Sequence, residues 1–340
     1  MENRTFAVAN SPHVHDNSSI QKIMWNVFLA LIPATFVSVY AFGFQAARVI
    51  AVSTIAAVVF EYIALLFMKR DWRACFDGSA AVTGLLLGLT LPSNISTGII
   101  LIGSFVAIII AKQVFGGLGH NPFNPALTAR VFLLIAFPGP LTTWPLPRGL
   151  ENASKFMGVA TTKVADAVTT ATPLGAIKQN AVQAMPNINI NDLVFGLQTP
   201  GSIGEISALA LLLGGIWLLY KKIITWHIPV AVIASVGFVA LITWRIDPKH
   251  YADPFFHFFA GGLFIGAFFM ATDYVTAPIF STGKLIYGAG VGLLTIIIRL
   301  WGGYPEGISF AILIMNAVTP LLDRWTVPKP FGFQKVRSKS

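Results

Sequence analysis

The sequence is poor in charged residues and has a single cysteine, and each shortage excludes classes of protein. Charged residues make up 11% of the 340 residues and hydrophobic residues 55%, whereas soluble domains carry about 25% charged residues. Such a chain lacks the polar surface to cover a globule in water, so the composition predicts an integral membrane protein. Cys75 alone excludes an intrachain disulfide and an iron–sulfur cluster held by four thiolates. Any electron-carrying cofactor must therefore be held without cysteine.

The net charge of +9 does not indicate nucleic-acid binding, because the basic residues cluster at the ends of the apolar runs. Residues in these places act as topology signals and attract anionic lipid. The first 22 residues are polar and lack the short basic start and small-residue cleavage site of a signal peptide. We therefore expect the lipid bilayer as a partner and no nucleic acid.

The apolar runs predict an all-α polytopic membrane protein with about ten transmembrane helices. A spanning helix needs roughly 20 apolar residues; several of the runs are shorter, and the segments 79–92 and 126–138 would hardly cross alone. Short segments are tolerated where they are buried in protein or line a cavity. The predicted spans are 24–43, 46–68, 79–92, 98–115, 126–138, 206–220, 228–244, 256–272, 285–300 and 308–322.

The distribution of basic residues predicts the orientation of these spans. With the N-terminus inside, the inner loops and the tail hold most of the lysines and arginines, and the short outer loops hold only Arg48, Arg245, Lys249 and Arg299. This bias places both termini in the cytoplasm. The predicted regions are a cytoplasmic segment (1–22), a first membrane repeat (23–138), an extracytoplasmic loop (139–205), a second membrane repeat (206–324) and a basic cytoplasmic tail (325–340).

The two halves carry matching features at one offset. Pro92 and Pro278 are 186 residues apart, as are Gly116 and Gly302, and an apolar helix follows each glycine. Five spans in each half give the halves opposite orientations, so the pattern predicts two inverted five-helix repeats. In such folds, interrupted segments marked by glycine and proline point to the functional site.

The loop 116–126, GGLGHNPFNPA, is one such interrupted segment. Gly116 and Gly117 permit close approach of the backbone to a ligand, and the side-chain amides of Asn121 and Asn124 both donate and accept hydrogen bonds. Pro125 is expected to start the next helix. Two interpretations stay open: a re-entrant turn whose asparagines cap that helix, or a pocket for a planar, hydrogen-bonding ligand.

Three acids lie near or inside predicted spans: Asp77, Asp273 and Glu306. Ionisable residues at such positions are candidates for an ion or proton path, and Asp77 and Asp273 are the predicted members of one. Capping of a helix explains each of them equally well. His13 and His15 have a spacing seen in metal sites, but a solvated N-terminal segment accounts for it, and no metal is expected.

The stretch DAVTTATPL, residues 166–174, places three hydroxyls within four residues. No histidine or cysteine lies nearby to activate a hydroxyl, so hydroxyl catalysis is not expected. Thr172 precedes a proline and is therefore held extended, which predicts a hydroxyl presented on an exposed loop. The pattern alone leaves two interpretations, an ordinary threonine-rich loop and an acceptor for covalent modification.

This stretch resembles the covalent flavin attachment motif D-x-x-[ST]-G-A-[ST] of bacterial membrane redox complexes. The resemblance implies that a flavin transferase joins the last hydroxyl residue, here Thr172, to the phosphate of FMN. Asp166 and Thr169 then occupy the recognition positions. Thr170 departs from the motif, which usually has glycine there.

The resemblance extends over most of the chain, since the runs 11–34, 111–127, 166–178, 269–288 and 302–325 are similar to the RnfD family, the D subunits of Rnf complexes. They resemble more distantly the B subunit of the sodium-pumping NADH:quinone reductase, which carries a longer N-terminal extension. The resemblance implies a ten-helix, urea-transporter-like inverted repeat in the bacterial cytoplasmic membrane and, as partners, the other membrane subunits of the complex. It also implies covalent FMN on the outer side and a second, noncovalent flavin (riboflavin), which we assign to the 116–126 loop.

The expected function is that of an electron-relaying subunit in a complex that couples electron transfer between ferredoxin and NAD+ to Na+ or H+ transport. The chain has no G-x-G-x-x-G fingerprint for a dinucleotide, so it would hold flavins between partners and not be catalytic alone. The alternatives are a quinone-reductase-type B subunit and a passive small-solute channel of the urea-transporter type. The fold does not decide between them, whereas a flavin on Thr172 would exclude the passive channel.

Overall fold

Helices make up most of the described chain. The computed structural model describes residues 19–145, 147, 169–170, 172–180, 194, 200–248 and 250–328, and at 169, 170, 176, 179 and 180 it describes the backbone alone. In chain order the helices are α1 (Ile20–Phe42), α2 (Phe44–Phe67), α3 (Ser79–Thr90), α4 (Thr97–Phe105), α5 (Pro125–Ala136), α6 (Pro138–Thr142), α7 (Pro173–Asn180), α8 (Ala208–Tyr220), α9 (His227–Ile246), α10 (Pro254–Phe259), α11 (Leu263–Ile265), α12 (Ser281–Trp301) and α13 (Ile308–Thr326).

Several shorter elements join or extend these helices. Helix α4 continues as a π-helix over Val106–Gln113, and α11 continues as a π-helix over Gly266–Met270. Two 3₁₀ turns, Trp72–Asp77 and Ile203–Glu205, precede α3 and α8. An antiparallel pair joins β1 (Trp144–Pro145) to β2 (Thr169–Thr170), with Trp144 opposite Thr170.

Five helices are long and apolar enough to cross a membrane: α1, α2, α9, α12 and α13. Shorter apolar helices, α3, α4 with its π-helical extension, α5 and α8, coincide with four further predicted spans. The chain is therefore a mostly helical, multi-pass membrane protein.

The prediction of one helix over 256–272 is wrong. The chain there forms α10, an extended residue at Ala260, α11 and the π-helix. Gly261 lies at φ 74°, a conformation that glycine adopts without steric cost. The freed carbonyls of His257 and Ala260 accept hydrogen bonds of 2.6 and 3.0 Å from Arg299. Buried polar partners thus replace the helical hydrogen bonds at this break.

Three of the basic residues assigned to outer loops, Arg48, Arg245 and Arg299, lie inside helices instead, and two of them donate to backbone carbonyls. Arg299 belongs to the last turn of α12 and is 5% exposed. Arg48 belongs to α2 and donates to the Ile95 carbonyl at 2.7 Å. Both arginines satisfy buried backbone carbonyls, a role that a count of basic residues in loops does not detect.

The helices pack closely because small residues line their contacts. Helix α2 packs along α3 and α4, and α9 packs along α12. A continuous apolar core runs through both halves of the described chain and includes Leu31, Leu127, Val232 and Ile312, all fully buried.

Gly84 of α3 lies against the backbone of α2 in the contact between the two helices. A Cβ atom there would lie 2.6 Å from the Ser53 carbonyl oxygen and 2.7 Å from the Thr54 Cα. Because both atoms are backbone, they cannot move aside without shifting the helix. We expect Gly84→Val to destabilise the purified protein by about 1–3 kcal/mol or more, measured by thermal unfolding in detergent. Gly98→Ala, where a Cβ meets nothing within 4 Å, should stay within about 0.5 kcal/mol of wild type, and equal losses in both variants would contradict this packing.

The chain between the two halves is anchored to the first. The Ile203 backbone N–H donates to the Leu91 carbonyl at 3.1 Å, and Ser38 of α1 donates to the Ile203 carbonyl at 2.6 Å. The turn Ile203–Glu205 is therefore held against α1 and α3, and it positions Glu205 at the site described below.

Candidate functional site

A buried network of polar side chains joins α2, α3 and the π-helix that follows α4. Lys112 donates hydrogen bonds of 2.6 Å to both Glu61 Oε1 and Ser79 Oγ. Gln113 donates to the same Glu61 oxygen at 2.9 Å, and Ser79 donates to Asp77 Oδ1 at 2.6 Å. We call these five residues the Lys112 network. The Glu61 and Lys112 side chains are 4% and 2% exposed, so an ion pair lies in the protein interior.

Asp77, a predicted member of an ion path, belongs to this network. Its Oδ1 also accepts from the Ser79 backbone N–H at 2.7 Å. The alternative interpretation, a cap at the start of α3, therefore describes its geometry. Through Ser79 the capping carboxylate is also connected to Lys112, so the two interpretations are compatible in this fold.

The glycines of the 116–126 loop shape a tight turn. Gly116, Gly117 and Gly119 have φ of 120°, 93° and 94°, values that side-chain-bearing residues rarely adopt. Arg70 donates to the Gly116 carbonyl at 2.5 Å, and the Gly117 N–H donates to the Lys112 carbonyl at 3.1 Å. The glycines thus fold the loop onto the end of the π-helix.

The asparagine side chains of this loop form hydrogen bonds with backbone groups of the protein. Asn124 caps α5, with its Oδ1 accepting from Ala126 N and Leu127 N, and its Nδ2 donates to the Met270 carbonyl at 3.1 Å. Asn121 Nδ2 donates to the Phe123 carbonyl at 3.1 Å. Asn124 thus caps α5 as the capping interpretation predicts, whereas Asn121 does not, and the predicted helix start at Pro125 is confirmed. The bond to Met270 ties the loop to the broken span of the second half.

A cavity of ≈ 80 Å³ lies between the two halves. Asn121, Asn124, Asp273 and Lys112 line it, together with apolar side chains such as Phe268. Gly116 and Gly117 do not line it. Pockets for drug-sized ligands measure about 300–1,000 Å³, and the Asn124 amide is engaged by backbone groups at both its oxygen and its nitrogen. In this arrangement the cavity is therefore smaller than a pocket that encloses a whole flavin.

Asp273 faces this cavity from the second half. Its Oδ2 accepts from Thr276 Oγ1 at 3.2 Å, and it lies within electrostatic reach of Lys112. Both predicted ion-path acids are thus in the surroundings of Lys112, Asp77 through Ser79 and Asp273 across the cavity.

Thr172 lies at the start of helix α7. Its Oγ1 accepts from the Gly175 backbone N–H at 3.1 Å, so it caps the helix. The expectation of an exposed hydroxyl is wrong, because Thr172 is 8% exposed. Its side chain lines a small pocket of ≈ 20 Å³ with Glu205, Gly261 and Glu306. Capping and docking account for the burial.

Of the two predicted recognition residues, only Thr169 lies within the described part of the chain. Thr169 pairs through its backbone with Pro145 in the β1–β2 pair. Asp166 lies outside the described residues. The strand pair places the chain just before Thr172 next to the segment that follows α6.

Helix α7 is docked on the second half. Lys178 donates to the Ile298 carbonyl at 3.2 Å and to the Tyr304 carbonyl at 2.9 Å, and burial lowers the pKa of its ammonium group. Leu174 packs with Ala252, Phe256 and Ala260 in a small apolar cluster. The hydrogen bonds of Lys178 and the apolar contacts of Leu174 thus fix the position of Thr172.

The Lys178 contacts predict a measurable change in local stability. We expect Lys178→Met to speed amide hydrogen exchange across Pro173–Asn180 by about tenfold or more, since hydrogen bonds from a charged donor contribute about 1.5–3 kcal/mol. Hydrogen–deuterium exchange with mass spectrometry measures this. Lys222→Met, at an exposed turn, should leave the exchange of this helix unchanged. Unchanged exchange in Lys178→Met would show that the two contacts do not hold the helix.

Four charged side chains meet below Thr172. Arg130 of α5 forms an ion pair with Glu306, whose other oxygen accepts from the Gly262 N–H at 3.1 Å. Glu205 and Arg299 complete the group, which we call the Arg130 cluster. Glu306 therefore acts as a partner of a buried arginine and not as a simple helix cap.

The sequence places this chain in a known family. Residues 7–332 match the model of the NQR2, RnfD, RnfE family. The chain belongs to this family. Members of the NQR2, RnfD, RnfE family that resemble it align over nearly their whole length. The D subunit of a proton-translocating ferredoxin:NAD(+) oxidoreductase complex of Clostridium ljungdahlii is 45% identical over 338 residues, which cover 97% of each chain.

Two further relatives in this family show the same extent of similarity. The D subunit of a Na(+)-translocating ferredoxin:NAD(+) oxidoreductase complex of Acetobacterium woodii is 42% identical, covering 100% of this chain and 99% of its own. The D subunit of an ion-translocating oxidoreductase complex of Stutzerimonas stutzeri is 43% identical, covering 93% of both. The resemblance inferred from the sequence is thereby confirmed.

Sequence reasoning missed several polar residues that this family member buries. Glu61 and Lys112 lie within predicted spans, and a charge inside an apolar run is itself a signal of function or pairing. Arg130 lies inside the predicted span 126–138 and carried the same signal. Glu205, which is half-buried, is the last residue of the predicted loop 139–205, and nothing local distinguishes it from a residue at the membrane surface.

Proposed function

We propose that this chain is a membrane subunit of an ion-translocating electron-transport complex of the ferredoxin:NAD+ oxidoreductase type, and that it carries FMN as a phosphoester on Thr172. The family membership and the names of the relatives support the complex. The other subunits of such a complex would then be its partners. A flavin transferase would supply the FMN.

The observation that carries the flavin proposal is the position of Thr172. Its hydroxyl lies at the N-terminus of α7, where backbone N–H groups favour an anionic phosphate. The residues present thus fit a phosphoester. The covalent bond would hold the cofactor without a large pocket, and Lys178 and Leu174 would keep its attachment point on the membrane part.

The chain's own residues would position this flavin and set its surroundings. A flavin accepts one or two electrons, and the protein tunes its potential through nearby charge and hydrogen bonds. Two members of the Arg130 cluster, Glu205 and Glu306, border the same pocket as Thr172 and place charge near the attachment point. A second, noncovalent flavin remains a proposal from the resemblance, and its binding at the 116–126 loop would require the cavity beside Asn121 and Asn124 to widen.

We further propose that ten membrane segments form two inverted repeats of the urea-transporter type in the bacterial cytoplasmic membrane, with both termini in the cytoplasm. The constant offset of 186 residues supports this arrangement. The packing of α2 on α4 and of α9 on α12 also supports it, because these pairs occupy corresponding places in the two halves.

Ion coupling would then involve the charged residues between the halves. Asp77 is bonded to Ser79, which Lys112 also contacts, and Asp273 lines the same cavity as Lys112. A change in their hydration or charge would accompany movement of one half relative to the other.

The proposal is tested in membranes of a strain that lacks this chain but keeps the rest of the complex. We expect reduced ferredoxin to drive NAD+ reduction, with ion uptake into inverted vesicles, only when the wild-type chain is restored. Activity that persists without the chain would contradict the proposal. A passive solute channel predicts rapid urea-driven swelling of vesicles that contain this chain alone and no effect on electron transfer. A quinone-reductase-type subunit predicts electron transfer to quinone instead.

A further inference from the structure

Two half-buried carboxyl groups lie side by side within the Arg130 cluster. Glu205 and Glu306 are hydrogen-bonding neighbours. Both face the same stretch of backbone, since a Cβ on Gly262 would lie 3.1 Å from Glu205 Oε1 and 3.5 Å from Glu306 Oε1. Two ionised carboxylates at such a separation repel strongly. A hydrogen bond between them therefore requires a proton on one of the two groups.

The arginines of the cluster leave donors without partners. Arg130 is 6% exposed and Arg299 is 5% exposed. Arg130 Nη1 and Arg299 Nε are buried and have no hydrogen-bond partner in the structure. A buried unpaired donor is costly, so these atoms point to a polar occupant within the cluster. Because Arg130 Nη2 already contacts Glu306, the free end of the same guanidinium lies next to the carboxyl pair.

The pocket below Thr172 gives this cluster an entrance. It is ≈ 20 Å³, and Thr172, Pro200, Glu205 and Glu306 are among the residues that line it. A volume of about 10–15 Å³ suffices for one water molecule, provided that two or more polar partners surround it. The Thr172 hydroxyl and the carboxyl oxygens of Glu205 and Glu306 supply these partners.

We propose that Glu205 and Glu306 form a proton-binding site, in which the two carboxyl groups share one proton that reaches them through the pocket below Thr172. The site rests on the proposed function only for its connection to the flavin, because its own geometry does not depend on one.

The charges around the pair determine where the proton resides. Glu306 keeps its negative charge because it is bound to Arg130 and to the Gly262 N–H. Burial, and then the neighbouring Glu306 carboxylate, raise the pKa of Glu205, which lies outside the spanning helices. Arg299 faces the pair from α12, and His257 of α10 lies next to Arg299. With the proton on Glu205, the cluster of two arginines and two acids carries one net positive charge.

Infrared difference spectroscopy on the purified complex at neutral pH tests this site. We expect the wild type minus Glu205→Gln spectrum to show the loss of one protonated-carboxyl C=O band that shifts in D₂O. We expect Glu306→Gln to lose the same band, because Glu205 then ionises next to Arg130. Asp71→Asn, at an exposed turn, should keep it.

A different change in the spectrum would overturn the proposal. If Glu205→Gln removes ionised-carboxylate bands and no protonated band, both acids are ionised and the proposal is wrong. Should Glu205→Gln fail to assemble, the Glu306→Gln spectrum decides, since loss of a carboxylate band alone would overturn the site. Thr172→Ala removes the proposed flavin but should keep the shared-proton band. Flavin attachment and proton binding can therefore fail independently.

Discussion

Thr172→Ala is expected to abolish covalent flavin on this chain, taking it from one flavin per chain to none, whereas Thr170→Ala keeps it. The phosphoester needs the hydroxyl at position 172, and Thr170 lies instead in the β1–β2 pair opposite Trp144. Co-expression with a flavin transferase, followed by flavin fluorescence on a denaturing gel, measures the loss. Intact mass gives the number of attached flavins independently.

The alanine variant also removes the cap of α7, so a second substitution must separate chemistry from folding. Thr172→Asn keeps an oxygen that can cap the helix but has no hydroxyl, and asparagine caps at least as well as threonine. Loss of fluorescence in Thr172→Asn cannot then be ascribed to an uncapped helix. Thr172→Ser retains both functions and should retain the flavin. Fluorescence in Thr172→Ala, or none in wild type with an active transferase, would contradict the assignment.

The burial of Thr172 adds a constraint on the order of events. Thr172 is 8% exposed, and its hydroxyl accepts a hydrogen bond from the Gly175 N–H. A second enzyme therefore cannot approach this hydroxyl while α7 is docked. Attachment must therefore precede docking, or α7 must open locally. In either case Lys178→Met, which loosens this helix, should not reduce the flavin content.

The positions of the apolar elements could be predicted from the sequence because each depends on its own residues. A run of apolar residues defines a helix wherever it packs, and Pro125 with Asn124 marks a helix start through local backbone chemistry. The break in 256–272 also had a local signal, the pair Gly261–Gly262, which the hydropathy of the surrounding phenylalanines outweighed. This error arose because two local signals, the glycine pair and the apolar run, predict different structures for the same segment.

The polar networks could not be predicted in the same way, since their members are far apart in the chain. Glu61 and Lys112 are separated by 51 residues, and Arg130 and Glu306 by 176. Which acid meets which base depends on how the helices pack, and no local pattern encodes that. The prediction that Thr172 is exposed is wrong for the same reason. The pocket that covers Thr172 is lined largely by residues from the second half of the chain.

The second large effect is expected at the Lys112 network. Lys112→Met removes the cation that Glu61 contacts at 2.6 Å and leaves a carboxylate that is 4% exposed with only the Gln113 amide as partner. Removing one member of a buried ion pair costs about 3–5 kcal/mol, because the remaining charge stays buried and uncompensated. We expect the thermal unfolding midpoint of the detergent-purified protein to fall steeply. Lys221→Met, at an exposed position next to Trp217, should change it little.

A double variant shows whether the charge interaction between Glu61 and Lys112 or the packing of their side chains stabilises the fold. Glu61→Gln combined with Lys112→Met removes both charges while keeping side chains of similar volume. A buried pair replaced as a unit is often neutral or stabilising, so the double variant should be more stable than Lys112→Met alone. If both are equally unstable, the ion pair is not the source of the loss. If the double variant regains stability but its complex does not translocate ions, the charges of Glu61 and Lys112 are held in the interior for transport, because the fold itself does not require them.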